Sequence, residues 1–264
     1  MRALLEALVL GIVQGLTEFL PVSSSGHLEL MKFILGNEST GEQSLLMTVV
    51  LHFATACATL YVFRKEVWKI LQGLFGSPVN ASQSFSIKIV LSMIPAVFIG
   101  LFFEEAIEAM FSQNLLLVGL ALCFTALLLV VADRAKQTDQ TVSYMNALVI
   151  GAAQAIAIIP GISRSGATIS TSVLLHIDRD QAASFSFLMV VPLIFGKIAK
   201  DVLAGDHLLV ENFTALSVGF LAAFFTGILA CIWMIRLVRR ANLRYFGWYC
   251  ALVGIIAVIL STIS

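Results

Sequence analysis

The sequence predicts an all-α membrane protein, with six transmembrane helices and two re-entrant helical hairpins arranged as an inverted-topology repeat. Three observations support this: the composition, the lengths of the apolar runs, and a repeated motif. Of 264 residues, 59% are hydrophobic and 12% charged, against roughly 45–50% and about 25% in soluble domains. The 16 basic and 16 acidic residues cancel, which gives no reason to expect a nucleic-acid partner. The chain 1–264 is therefore expected to be one integral membrane domain.

Six apolar runs are candidates for crossing a bilayer, which takes about 20 residues with a range near 17–25. Two of them contain an interior proline, Pro95 or Pro192, which predicts local kinks. The shortest run must borrow flanking residues to span. The six runs are Ser44–Phe63, Ile87–Phe103, Leu115–Val131, Ala182–Gly196, Phe213–Ile235 and Tyr245–Ile263.

Four further runs are too short or too interrupted to span. They form two pairs, each divided by a loop of proline, serine and glycine, "PVSSSG" in the first and "PGISRSG" in the second. Segments of this length favour re-entrant or broken helices. The first pair is Ala3–Leu20 with Leu28–Leu35, and the second is Ala147–Ile159 with Ala167–Leu175.

The charges between the runs predict the orientation. The segments 64–88 and 236–244 are basic, whereas 104–114 carries three glutamates and no base. The positive-inside rule places the two basic segments in the cytoplasm and the acidic one outside. These placements agree only if 147–175 contributes an even number of crossings, as a hairpin does. Both chain ends then lie outside if the first pair behaves likewise.

The two short pairs are copies of each other. Residues 7–26 match 147–166 without a gap, at a shift of 140. The chain is thus predicted to consist of a repeat over about 1–134 and a second over about 141–264. Each contains one hairpin and three spans, so the second copy is inverted, as in many transporters. The matching columns are Ala7/Ala147, Leu8/Leu148, Val9/Val149, Gly11/Gly151, Gln14/Gln154, Ser23/Ser163, Ser25/Ser165 and Gly26/Gly166.

Irregular backbone at membrane depth must be buried in protein or line a wet cavity, so the two loops are expected to face each other. A short helix is predicted to begin near Gly26 and another near Gly166. Helix N-termini offer unpaired N–H groups and a partial positive charge. Arg164 adds a guanidinium suited to phosphate oxygens. Together these features predict an anion site.

The first loop adds groups that the second lacks. A phosphate held by Arg164 could be attacked by the hydroxyl of Ser24, with Glu18 or His27 as the base, or by His27 itself. Gln14 and Glu18 are four residues apart and share a helix face. With phosphate oxygens they could hold Mg²⁺ or Ca²⁺, which favour oxygen ligands.

Simpler structural interpretations stand beside these. Ser23 and Ser25 are most often helix N-caps in such a context. His27 and Glu18 could lie at the level of the headgroups. His52, inside a span without an acidic neighbour in its own helix, is interpreted as a hydrogen-bonded packing residue. Arg164 resists such an explanation, because an ion in the membrane centre costs about 2.5–3.5 kcal/mol even on the lenient scale.

The stretches "QGLTEFLPVSSSGH" and "PGISRSGAT" resemble the two signature motifs of the undecaprenyl pyrophosphate phosphatase family, associated with bacitracin resistance. "SMIPAVFIGL" and "ASFSFLMVVP" extend the likeness over nearly the whole chain. The resemblance implies a multi-pass hydrolase of the bacterial plasma membrane that converts undecaprenyl diphosphate to the monophosphate used in cell-wall synthesis. It also implies a divalent cation, Mg²⁺ or Ca²⁺, and a site facing the extracytoplasmic side.

By motif position, the resemblance implies that Ser24, His27, Glu18 and Arg164 are catalytic, and that Glu18 and Gln14 hold the metal. Gln14 departs from the version of the motif with two glutamates because it is neutral. The predicted partners are a polyprenyl diphosphate and membrane lipids, and a homodimer is left open. A transporter or polyprenyl-phosphate flippase using the same pocket is the alternative. The candidate substrate-binding residues are Ser23, Ser25, Gly26, Ser163, Ser165, Gly166 and Thr168.

Overall fold

The structure is a computed structural model and describes residues 2–35, 42–76, 80–103, 107, 110, 114–136, 138–203, 212–240 and 242–263. Within these ranges the regular elements are eleven helices. They are α1 (Arg2–Phe19), α2 (Ser24–Ile34), α3 (Glu42–Val62), α4 (Arg64–Leu74), α5 (Ala81–Phe102), α6 (Leu115–Asp133), α7 (Tyr144–Ile156), α8 (Arg164–Leu174), α9 (Arg179–Leu203), α10 (Phe213–Arg239) and α11 (Leu243–Ile263).

Five of these helices, α5, α6, α9, α10 and α11, are long and apolar enough to cross a membrane. A sixth span results if α3 and α4, which meet at an angle of 80°, are counted together. The prediction of an all-helical, multi-pass membrane protein is therefore confirmed. Segment 64–88 is not the simple loop predicted, because it contains α4 and the start of α5. Most of the acidic segment 104–114 lies outside the described residues.

The four short segments form α1, α2, α7 and α8. Helices α2 and α8 begin at Ser24 and Arg164, two residues before the expected starts. The reason is a matching N-cap: Ser23 Oγ accepts from the Gly26 N–H at 3.2 Å, and Ser163 Oγ accepts from the Gly166 N–H at 3.0 Å. The N-cap interpretation is correct for Ser23 and wrong for Ser25, which lies inside the first turn of α2.

The first helix of each pair packs against a span from the other half of the chain. Helix α1 lies along α10, and α7 lies along α5. A Cβ atom added to Gly11 would lie 2.5 Å from the carbonyl oxygen of Gly219, and one added to Gly151 would lie 2.9 Å from Ser92 Cα. Small residues thus allow close helix approach at both contacts. The two glycines occupy the same column of the internal repeat.

Buried aromatic residues pack around the point where the pairs meet. The ring of Phe19, the last residue of α1, packs edge to face on Phe187 of α9 at 5.6 Å between centroids. Phe63 contacts the same ring at 6.2 Å. All three side chains are at most 5% exposed. Such apolar walls lower the local dielectric, which strengthens the interactions between charged groups nearby.

Candidate active site

The two Ser/Gly loops are in direct contact. The hydroxyl of Ser165 donates to the carbonyl oxygen of Leu20 at 3.2 Å. A Cβ atom added to Gly26 would lie 3.2 Å from the Cα atom of Gly161. The start of α2 and the start of α8 therefore lie close together.

Each loop turns through a residue with positive φ. In the second loop this residue is Gly161, with φ 96°, and in the first it is Ser23, with φ 70°. Thr125 of α6 supports the second loop, since its Oγ1 accepts from the Ser163 N–H at 3.0 Å. The same hydroxyl lies 3.3 Å from the carbonyl oxygen of Gly161. Nothing in the local sequence of α6 singles out Thr125, so sequence reasoning missed it.

Glu18, 8% exposed at the end of α1, is the residue on which both loops converge. Ser24 Oγ donates to Glu18 Oε2 at 2.7 Å, and Gln14 Nε2 donates to the same oxygen at 2.9 Å. Arg164 forms an ion pair with the other carboxylate oxygen, Oε1, through Nη2. The structure thus brings Gln14, Glu18, Ser24 and Arg164 together.

Helix α9 orients the guanidinium. Arg164 Nη1 donates to the carbonyl oxygen of Ser186 at 3.2 Å. The hydroxyl of Ser186 lies 2.6 Å from that of Thr168, which also donates to the Arg164 carbonyl at 2.9 Å. Thr168 is therefore a support for Arg164 in this structure. Ser186 was not identified from the sequence, although it lies within the quoted stretch "ASFSFLMVVP".

His27 lies apart from the Glu18 cluster. Its ring stacks on Tyr249 of α11, with centroids 5.6 Å apart and planes 11° from parallel. Nδ1 lies 2.8 Å from the Ser23 carbonyl and Nε2 lies 2.8 Å from the Tyr249 hydroxyl. A carbonyl only accepts, so Nδ1 carries a proton and the neutral ring accepts from Tyr249 through Nε2. Among the described residues, no hydrogen bond joins His27 to Ser24 or Glu18.

The imidazole that does lie next to Glu18 belongs to His52 of α3. Its Nε2 is 3.8 Å from Glu18 Oε2, and its Nδ1 donates to the Thr48 carbonyl at 2.8 Å. The interpretation of His52 as a packing residue is therefore incomplete and missed its place in the site. A histidine inside a membrane span indicates a functional site in its own right. The link to Glu18 could not be predicted from the sequence, because Glu18 lies on another helix, α1.

The residues present fit a divalent cation that prefers oxygen. Gln14 is fully buried and its Oε1 has no hydrogen-bond partner. That oxygen and the Glu18 carboxylate are ligands of the type that Mg²⁺ and Ca²⁺ prefer. No group of three or more His, Cys, Asp or Glu side chains that could hold a metal occurs among the described residues. Protein ligands are thus few, and substrate oxygens and water would have to complete the coordination.

Two helix ends, a guanidinium and a serine–carboxylate pair thus lie together in an all-helical, multi-pass membrane protein. Residues 7–256 match the model of the family described as Bacitracin resistance protein BacA. The chain belongs to this family, and the resemblance seen in its motifs is confirmed.

Several relatives, each named undecaprenyl-diphosphatase, align over nearly their whole length. A protein from Christiangramia forsetii is 60% identical over 255 residues, covering 96% of this chain and 97% of the relative. One from Bacteroides fragilis is 44% identical over 264 residues, with 98% of each chain covered. One from Methanococcus vannielii is 35% identical over 261 residues, covering 96% of this chain and 99% of the relative.

Proposed function

We propose that this protein is an undecaprenyl-diphosphatase. It hydrolyses undecaprenyl diphosphate to undecaprenyl phosphate and inorganic phosphate, which returns the lipid carrier to peptidoglycan synthesis and confers bacitracin resistance. Family membership and the names of the relatives support this function. The single geometric observation that carries it is that the Ser24 hydroxyl and the Arg164 guanidinium contact the same carboxylate, Glu18.

The terminal phosphate binds where the two loops meet. Arg164 forms two charge-assisted hydrogen bonds to phosphate oxygens, and the N–H groups at the starts of α2 and α8 contribute the rest. Before substrate arrives, Glu18 holds the guanidinium in place as a buried ion pair. Separating a buried ion pair leaves one charge uncompensated, so the incoming phosphate can take over the guanidinium only where a cation or a proton compensates Glu18.

Ser24 is the nucleophile in this proposal. Its Oγ attacks the terminal phosphorus, and its proton passes to Glu18 Oε2, to which it is already hydrogen-bonded at 2.7 Å. The P–O bond to the inner phosphate breaks, and the lipid monophosphate leaves. The leaving monophosphate takes the proton from Glu18, and Glu18 then deprotonates the water that cleaves the phosphoserine. That proton returns to the Ser24 oxygen as inorganic phosphate is released. His27 is disfavoured as the attacking group because both ring nitrogens are engaged.

Gln14 and Glu18 would hold the divalent cation, Mg²⁺ or Ca²⁺. When bound, the cation offsets negative charge on the diphosphate, which is the chemistry such ions supply in phosphoryl transfer. The unpartnered Oε1 of Gln14 supports this assignment. Because Gln14 is neutral, Glu18 contributes the protein's negative charge to the cation.

We also propose that the chain 1–264 is a single domain built from two inverted repeats, about 1–134 and 141–264, with α1–α2 and α7–α8 as re-entrant hairpins. The matching serine caps and the crossed packing of α1 on α10 and of α7 on α5 support this. The polyprenyl tail stays among membrane lipids or between the helices. The pocket opens to the extracytoplasmic side of the bacterial plasma membrane, and a homodimer is compatible with this arrangement.

A transporter or flippase would share the inverted-repeat plan. It would need groups that bind phosphate, but not a hydroxyl hydrogen-bonded to a carboxylate base. The Ser24–Glu18 pair therefore favours the enzyme.

The test is an assay of purified protein in detergent with undecaprenyl diphosphate, measuring inorganic phosphate and lipid monophosphate together. Wild type releases both in equal amounts, whereas Ser24→Ala and Arg164→Ala each lose at least about 10³-fold of the rate. A rapidly quenched reaction, analysed by mass spectrometry, yields phosphate on Ser24. Lipid translocation without phosphate release contradicts the hydrolase, and phosphohistidine at His27 contradicts the serine mechanism.

A further inference from the structure

The Nε2 atom of His52 lies beside the Glu18 carboxylate. Because Nδ1 donates to the Thr48 carbonyl at 2.8 Å, the neutral ring carries its lone pair on Nε2. That lone pair faces Glu18 Oε2, also an acceptor, across 3.8 Å. The His52 side chain is 29% exposed and the Glu18 side chain 7% exposed. Two acceptors in such a partly buried site repel each other unless a donor or a positive charge lies between them.

A third acceptor lies beside them. Gln14 Nε2 donates to the same Glu18 Oε2 atom at 2.9 Å, so the whole carboxamide adjoins this carboxylate. The amide oxygen of Gln14 is buried without a partner. An imidazole nitrogen, a carboxylate oxygen and an amide oxygen are thus gathered from α1 and α3.

We propose that His52 is a ligand of the divalent cation, through Nε2, together with Glu18 and Gln14. A metal-binding histidine usually donates its other ring N–H to a carbonyl or carboxylate, which fixes its tautomer, and Thr48 supplies that acceptor. This inference rests on the cation site of the proposed function and adds a nitrogen ligand to it. Carboxylate and amide oxygens suit Mn²⁺ as well as Mg²⁺ and Ca²⁺, so Mn²⁺ can occupy the same site as a spectroscopic probe.

Charge couples this site to its substrate. Gln14 and neutral His52 bring no charge, and the negative charge of Glu18 is shared with Arg164. A dication in an apolar protein interior needs further negative charge, which a diphosphate provides. The cation and a diphosphate therefore bind cooperatively, and each raises the affinity of the other by the same factor.

The test is pulsed electron paramagnetic resonance of Mn²⁺ bound to detergent-purified protein in the presence of methylenediphosphonate. A directly bonded imidazole nitrogen gives a ¹⁴N modulation, and labelling the histidines with ¹⁵N changes its frequency. We expect this modulation in wild type, and its loss in His52→Gln with at least about a tenfold fall in Mn²⁺ affinity. His27→Gln and His176→Asn are matched controls that keep the modulation.

Wild-type protein that binds Mn²⁺ without a histidine modulation overturns the inference, as does a modulation that persists in His52→Gln. The isotope experiment needs no substitution, so a variant that fails to fold does not block the test. Phosphate release is measured on the same wild-type sample. Release without a histidine modulation refutes the ligand role of His52 alone, whereas absence of release refutes the proposed function.

Discussion

The two hairpins share a scaffold but differ in chemistry. Ser23 and Ser163 cap the two short helices in the same way, each binding the N–H three residues on. The first hairpin places Glu18 and Ser24 at the meeting point, and the second places Arg164 there. Gln154, the counterpart of Gln14, is buried with both amide atoms unpartnered. In the proposed function, the two copies thus supply two helix ends to one ligand and divide the nucleophile and the guanidinium between them.

Removing the Arg164 guanidinium of the second hairpin should have the largest effect on activity. We expect Arg164→Ala to lower kcat/KM for undecaprenyl diphosphate by about 10³–10⁵-fold, because this guanidinium stabilises the charge of the transferring phosphate. Arg164→Lys should recover only part of the activity, since an ammonium lacks the planar fork.

The matched control is Arg239→Ala. Arg239 is exposed and pairs with Asp180 at 2.6 Å, so its removal should leave kcat/KM close to that of wild type. Equal losses in the two alanine variants would contradict a specific role for Arg164.

Removing the carboxylate of the first hairpin should have the next largest effect. We expect Glu18→Gln to lower kcat by about 10²–10⁴-fold, since the amide cannot take the Ser24 proton. Steady-state kinetics separate this effect from binding. Glu6→Gln is the control, because Glu6 lies on the same helix and pairs with the exposed Arg2. A Glu18→Gln enzyme with a wild-type kcat would rule out Glu18 as the base.

The turn of the second loop, at Gly161, should tolerate a side chain less well than the turn of the first loop, which already carries Ser23. In Gly161→Ala the new Cβ would lie 2.5 Å from the Val118 carbonyl oxygen, at a φ of 96°. We expect a loss of about 2–4 kcal/mol, from overpacking and backbone strain combined, seen as a lower Tm in detergent. Gly100→Ala is the control, because its Cβ meets nothing within 4 Å. Equal Tm values for the two variants would show that the loop repacks freely.

The smallest predicted effect is a difference in stability between glycine variants of the two N-cap serines, Ser23 and Ser163. Ser23 has φ 70°, whereas Ser163 has φ −73°. Glycine costs only a few tenths of a kcal/mol as an N-cap and relieves strain only where φ is positive. We therefore expect Ser23→Gly to be more stable than Ser163→Gly by about 1 kcal/mol, measured as a difference in Tm. A lower Tm for Ser23→Gly would show that its backbone is unstrained.

Much of the scaffold was predictable because it depends on local properties. Apolar run lengths located the spans, and the run Leu115–Val131 lies within two residues of α6 (Leu115–Asp133) at each end. The match is looser elsewhere: the predicted run ends at Gly196 where α9 continues to Leu203, and another begins at Ile87 where α5 begins at Ala81. The N-cap at Ser23 was predicted, since a cap bond spans only three residues. The matching cap at Ser163 was not predicted, because that serine was assigned to substrate binding. The bend between α3 and α4 was not predicted, because the charged stretch 64–74 has the composition of a loop as much as of an amphipathic helix.

The amino-acid sequence by itself determined the membrane class, the two pairs of short helices and the opposition of a serine–carboxylate group to one arginine. Only the tertiary structure decided which histidine lies beside Glu18, that Tyr249 engages His27, and that Thr125 and Ser186 hold the second loop and its guanidinium. The physical reason is the sequence separation between the interacting residues. Helix length and capping are set by neighbours in the chain. These contacts join helices that are far apart in sequence, and only packing brings them together.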